Sequence, residues 1–226
     1  MSAHILVVNP NSSAIVTAGI DQALEPLRYS DGPVFECVTL ADGPAAIETQ
    51  RQVDSVVEPL CRLVEREQAR AAAFVIACFS DPGLHALREL TSKPVLGIAE
   101  CGLLTALLLG DRVGVLSILA SSLPRHRRLF RTLGIEGRIA GDLPVDLHVN
   151  ELAGDERVAA RLATMGARLR DEAGADVLVL GCAGMARQRL ALEVALGLPV
   201  VDPTQAAAGM AVCAVRLGYR GRSGRE

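Results

Sequence analysis

Lysine occurs once in the 226 residues, as Lys93 in TSKPV. An enzyme that anchors pyridoxal phosphate as a Schiff base would have to use this residue, placed before a proline and a strand, so that chemistry is not expected. No GxGxxG and no GxxxxGK run is present to cradle a dinucleotide or a phosphate chain. The six cysteines show no CxxC spacing, and the four histidines (His4, His85, His126, His148) are scattered, so no zinc site is expected. Aromatic residues make up 3% of the chain, and acidic and basic residues mix to a net charge of −3. A basic stripe with interleaved aromatics, the usual footprint of nucleic-acid binding, is missing. No apolar run approaches the roughly 20 residues needed to cross a bilayer. The start, MSAHILVVNPN, lacks the basic region of a signal peptide. The expectation is a cytoplasmic protein with free thiols, no cofactor, no metal, no nucleic-acid or membrane partner, and a small-molecule substrate handled by side chains alone.

Half of the chain is hydrophobic, enough to core one large domain or two small lobes. Short β-branched runs alternate with longer amphipathic or Ala/Leu-rich stretches, the pattern of an α/β fold with parallel strands and crossover helices. Strands are expected at 4–8, 34–39, 73–77, 95–98, 112–117, 177–180 and 199–201. Helices are expected at 12–27, 45–70, 82–90, 100–109, 123–133, 155–173, 184–196 and 204–217. Residues 218–226, rich in Gly and Arg, read as a flexible tail. The densest basic stretch, Arg125 to Arg131 with His126, reads as a solvated helix face.

The chain also repeats itself. HILVVNPNSS recurs as RVGVLSILASS 108 residues later, AAAFVIACFSDPG as ADVLVLGCAGMA 104 later, and SKPVLGI as GLPVVD 105 later. Three segments in the same order at nearly constant spacing imply two similar lobes, 1–101 and 102–202. The last helix, 203–217, is expected to pack back on the first.

Ligands of open parallel sheets bind beyond the carboxyl ends of the strands. Cys78 follows AAAFVIA and precedes Ser80-Asp81-Pro82, while Cys182 follows DVLVLG and precedes Ala183-Gly184-Met185. If the lobes face each other about a pseudo-twofold axis, the two thiols converge on one substrate from opposite sides. A helix N-terminus after each would lower its pKa and supply a thiolate. Opposed acid and base thiols suit removal of a proton from one face of a carbon and its return to the other. Backbone N–H groups of Gly83, Gly184 and Met185, with the side chains of Asn9, Ser12 and Ser117, are candidates to hold the resulting oxyanion. Phe79, Ser80 and Ala183 are expected to contact substrate. Cys37, Cys61, Cys101 and Cys213 read as buried small hydrophobes, and Asp81 and Glu100 as cap or loop carboxylates.

ILVVNPNSS, ACFSDPGLHALREL followed by KPVLGIAE, and LGCAGMA followed by GLPVVD together resemble the Asp/Glu/hydantoin racemase superfamily, and within it the hydantoin and allantoin racemases. The resemblance implies two Rossmann-like lobes related by a pseudo-twofold, an active site in the interlobe cleft, no cofactor, a homo-oligomer, and Cys78 and Cys182 as the catalytic pair. It implies proton transfer at C5 of a 5-substituted hydantoin or of allantoin, a cyclic ureide or amide. Other superfamily reactions are the alternatives: amino-acid racemisation, maleate-type isomerisation or arylmalonate decarboxylation. A ligand-binding α/β protein without catalysis is a further one. Ser80 stands where hydantoin racemases usually carry glycine, and SILASS stands where relatives commonly show paired threonines. Ala183 and Gly184 replace the Thr and His that amino-acid racemases place after the second cysteine. Arylmalonate decarboxylases keep only that second cysteine, so Cys78 argues against their reaction.

Overall fold

The computed structural model describes residues 3–152 and 156–221, and of the expected tail 222–226 lie outside them. Two four-stranded, all-parallel sheets form the frame. The first contains β1 (His4–Asn9), β2 (Val34–Thr39), β3 (Ala71–Ile76) and β4 (Val95–Gly97), in the order β2-β1-β3-β4. The second contains β5 (Val113–Ser117), β6 (Ile139–Pro144), β7 (Val177–Leu180) and β8 (Val200–Val201), in the order β6-β5-β7-β8. Corresponding strands begin 109, 105, 106 and 105 residues apart, so the repeat read from the sequence is a repeat of topology.

Strands covered on both faces must be apolar throughout, and these are. Along β1 and β3, Leu6, Val8, Phe74 and Ile76 face one way, and Ile5, Val7, Ala73 and Val75 the other. The first set packs under α3 (Val57–Glu67) and α4 (Leu84–Leu90); the second packs under α1 (Ala14–Ala23) and α9 (Pro203–Arg216) through Ile20, Ala207, Ala208 and Ala211. In the second sheet, Leu116, Leu178 and Leu180 meet α7 (Glu156–Asp171) and α8 (Arg189–Leu196). Val113, Val115, Val177 and Val179 meet α6 (Leu123–Thr132) and Ala99, Leu103 and Ala106 of α5 (Ile98–Leu109). Thus α5 leaves the first sheet to cover the second, and α9 leaves the second to cover the first.

Several boundaries differ from the sequence expectation. The strand at Ile139–Pro144 was not expected, because IAGDLP lacks a β-branched run; it forms because it is the edge beside β5, where proline costs no ladder bond. The expected helix 45–70 is two helices, α2 (Gln50–Ser55) and α3. A capping box between Thr49 and Gln52 starts the first, and Val56 ends it and starts the second. The expected helix 184–196 opens as a 3-10 segment, Ala183–Gln188, before α8. Of the four cysteines expected inside, Cys101 is buried, Cys37 and Cys61 are half-buried, and Cys213 is exposed. Cys213 lies off the alanine stripe by which α9 covers the sheet. No helix among the described residues is long and apolar enough to cross a membrane.

Candidate active site

Both β3 and β7 end in a cysteine turn, and the turns are built differently. After β3, the Cys78 carbonyl accepts from the Asp81 N–H, and Asp81 takes the left-handed conformation, φ 43°. Its carboxylate turns away from α4, which starts only at Leu84 behind Gly83. Instead it accepts from the N–H groups of Ala99 (2.9 Å) and Glu100 (2.8 Å), capping α5. Gly97 makes this approach possible, since a Cβ there would lie 2.3 Å from the Asp81 carboxyl carbon. After β7, Gly181 crosses the end of β5 so closely that a Cβ would sit 2.6 Å from the Leu116 carbonyl oxygen. Cys182 then caps the 3-10 segment, and Met185 is fully buried in the second core.

These turns bring Cys78 and Cys182 to the wall of one pocket, with Phe79, Ser80, Ala183, Asn11, Ile118, Ser122, Arg125 and His126 around them. Phe79, Ser80 and Ala183, expected from the sequence, are therefore in place. The other expected residues are not in its wall. Asn9 is 1% exposed, and its amide donates to Asn11 Oδ1, the Ser13 carbonyl and Thr17 Oγ1, shaping the turn after β1. Asn11, at the pocket wall, is the residue that this network presents. Ser12 is exposed and gives its N–H to the Pro44 carbonyl. Gly83 lies against Val57, Ser117 is fully buried behind the wall, and Met185 is core. Gly184 lines an apolar groove with Ser13, Ile15 and Leu152 that shares Val16, Val149 and Ala183 with this pocket, and its N–H reaches the Cys182 thiol.

Neither thiol shows the lowered pKa expected from a helix N-terminus. Burial pushes Cys78 up to about 12, aided by Cys182 and Asp81 and opposed by the Ser80 N–H and Arg125. Burial pushes Cys182 up to about 11, against the Gly184 N–H and with Asp202 and Glu48 adding to the rise. Helix dipoles act within the first turn, and α4 starts six residues beyond Cys78 while only a 3-10 segment follows Cys182. Desolvation wins.

The basic stretch on α6 is not only a solvated face. His126 and Phe130, four residues apart, are each 2% exposed and turn inward, whereas Arg127, Arg128 and Arg131 are exposed. Arg125 is half-buried at the pocket wall, its guanidinium donating to the carbonyls of Ser121 (2.9 Å) and Glu48 (3.0 Å) and to Ser122 Oγ (3.1 Å). All three acceptors are neutral, and no carboxylate pairs with it among the described residues. Glu48 also accepts from the Val149 N–H and from His148, tying a loop of the first lobe to the second. The signal for His126 was present in its helical spacing with Phe130, which puts one apolar stripe on an otherwise basic helix. Among the described residues, no group of three or more His, Cys, Asp or Glu side chains is placed to hold a metal ion.

A family model described as Asp/Glu/Hydantoin racemase matches residues 5–211. The chain belongs to this family. It is a racemase, an isomerase, and its relatives cover nearly its whole length. Hydantoin racemase from Paenarthrobacter aurescens is 35% identical over 220 residues, 96% of this chain and 93% of the relative. Hydantoin racemase from Rhizobium meliloti is 36% identical over 221 residues, 96% of this chain and 90% of the relative. The solved allantoin racemase from Klebsiella pneumoniae superposes with a TM-score of 0.92 at 30% identity, covering 98% of this racemase and 91% of that chain.

Proposed function

We propose that this racemase interconverts the enantiomers of a 5-substituted hydantoin or of allantoin, without a cofactor, by passing a proton across C5 between Cys78 and Cys182. One observation carries the reading: the corresponding strands of two repeated lobes each deliver a cysteine to the wall of a single pocket. The ring carbonyl acidifies the C5–H bond. One cysteine, as thiolate, takes that proton, and the electron pair of the broken bond moves into the carbonyl to give an enolate. The other cysteine, as thiol, delivers its proton to the opposite face of C5, and the two sulfurs have then exchanged roles. Arg125, a cation held only by neutral acceptors, supplies positive charge for the enolate oxygen.

The test is a polarimetric screen of single-enantiomer hydantoins, allantoin, glutamate and aspartate, repeated in EDTA and in hydroxylamine. The expected result is loss of optical rotation with a cyclic ureide, none with the free amino acids, and no effect of either reagent. Activity lost to chelator and restored by zinc would overturn the cofactor-free reading. Racemisation of glutamate or aspartate alone would overturn the substrate class. If no substrate reacts and native-state labelling finds Cys78 and Cys182 inert, the two-thiol mechanism is overturned.

A further inference from the structure

Behind the pocket wall three polar side chains of the second lobe, none needed by the two-thiol reaction, are buried together. His126 Nδ1 lies 2.9 Å from Asp142 Oδ2 and 3.0 Å from Ser117 Oγ, and the Ser117 hydroxyl also bonds to Asp142 Oδ1. His126 and Asp142 have side chains only 3% and 10% exposed. The residue types are those of a hydrolytic triad, but the connectivity is not. Serine and carboxylate both meet the same ring nitrogen, and Ser117 does not reach the pocket, so the cluster itself presents no nucleophilic hydroxyl to a substrate. The cluster does something else: it fixes the imidazole. A carboxylate can only accept, so Nδ1 carries the proton, and in the neutral ring Nε2 is then the lone-pair acceptor. Phe79 stacks edge-on against the ring at 5.2 Å, and Phe130 closes its other side at 6.2 Å. The ring lines the pocket with both cysteines, and Nε2 makes no hydrogen bond to any described residue.

We propose that His126 is a specificity residue whose Nε2 accepts a hydrogen bond from a ring N–H of the substrate, so that the pocket takes a cyclic ureide or amide with that nitrogen unsubstituted. Asp142 and Ser117 are positioning residues that hold the accepting tautomer. This deepens the substrate reading above and rests on it. Burying an ionisable pair and a hydroxyl is costly unless each is satisfied, and here Nε2 is the site left for the ligand. A ring bearing N-methyl in place of N–H would leave Nε2 unpaired and press a methyl group against it.

The experiment separates recognition from chemistry by using 5,5-dimethylhydantoin, which has no C5 proton, and its N1-methyl and N3-methyl derivatives. Binding is measured by calorimetry on the wild-type protein and on Asp142→Asn and His126→Phe, with folding checked by circular dichroism and racemisation assayed in parallel. The wild type is expected to bind the parent ring, with one N-methyl derivative roughly 10- to 100-fold weaker, as expected when a buried acceptor loses its donor. Asp142→Asn keeps the shape but offers a donor to Nδ1, moving the ring proton to Nε2, so that preference should shrink to about threefold or less. A purely structural role would lower stability without touching the ratio. His126→Phe should bind all three rings alike, and if it does not fold, Asp142→Asn decides alone. Equal binding of the three rings by wild type, no binding at all, or an unchanged ratio in folded Asp142→Asn overturns the proposal. A preserved binding preference without racemisation overturns the proposed reaction and leaves this inference standing.

Discussion

The two lobes share one topology and fill it with different polar chemistry. At the end of β1 and the start of α1, Asn9, Asn11 and Thr17 form a neutral network with Thr39 at the end of β2, closed by a 2.6 Å bond between the two threonines. At the corresponding place in the second lobe, Ser117 at the end of β5 and His126 on the inner face of α6 meet Asp142 of β6, a hydroxyl between an imidazole and a carboxyl group. The turns after the cysteines differ in the same spirit. Asp81 closes the first by capping α5, and Met185, at the equivalent step of the second, closes it by apolar burial. A duplicated frame therefore fixes where two thiols sit, while the surrounding side chains make the two halves of the pocket unequal.

The sharpest test of that comparison is to remove one thiol at a time. Cys78→Ser and Cys182→Ser should each lower racemisation on the order of 10³-fold, because a hydroxyl is far too weak an acid or base near neutral pH. In deuterium oxide, each variant should still exchange the C5 proton of one enantiomer, above the spontaneous rate, and the two should choose opposite enantiomers. Exchange of the same enantiomer by both would break the equivalence of the lobes. Alkylation by iodoacetamide should be blocked by substrate, and peptide mapping should find the inactivating label on Cys78 or Cys182.

The pH profile sharpens the same point. Both thiols stand well above the ordinary value, at about 12 and about 11, so the form with one thiolate grows as pH rises. kcat/KM is expected to climb by up to roughly tenfold per unit between about pH 7 and 9. Stability should run the other way: above about pH 9 the unfolded thiols ionise while the buried ones stay neutral, so Tm falls as pH rises through that range. A flat profile of kcat/KM would show that the free enzyme already holds a thiolate.

Truncating the apolar anchor should cost more than removing the polar one. Met185→Ala, in the second core, is expected to lose about 2–5 kcal/mol in denaturant unfolding. Arg125→Gln should fold normally and lower kcat/KM roughly 10- to 100-fold, since it removes the charge offered to the enolate. Asp81→Ala strips two N–H groups of their cap and should cost about 1–2 kcal/mol. If Asp81→Ala proves as damaging as Met185→Ala, the two turns are not alternative solutions to one task.

Periodicity and composition alone showed an α/β chain, and the three recurring segments showed two lobes and an equivalent pair of cysteines. The same repeat also held the strand that propensity missed: stepping 105 residues from Val34 lands on Ile139, the start of β6. A local reading passed it over because an edge strand with Gly, Asp and Pro owes its form to β5 and not to its own side chains. What lies beside each thiol was decided only by tertiary structure. Asn9 and Ser117 are the last residues of β1 and β5, close to where ligands of parallel sheets bind, yet the turn after β1 and the packing of α6 put Asn11 and His126 in the wall instead. Arg125 read as one of many surface arginines because sequence shows charge but not which acceptors will surround it. The thiol pKa values likewise follow from burial between the lobes, a property that no local stretch of chain possesses.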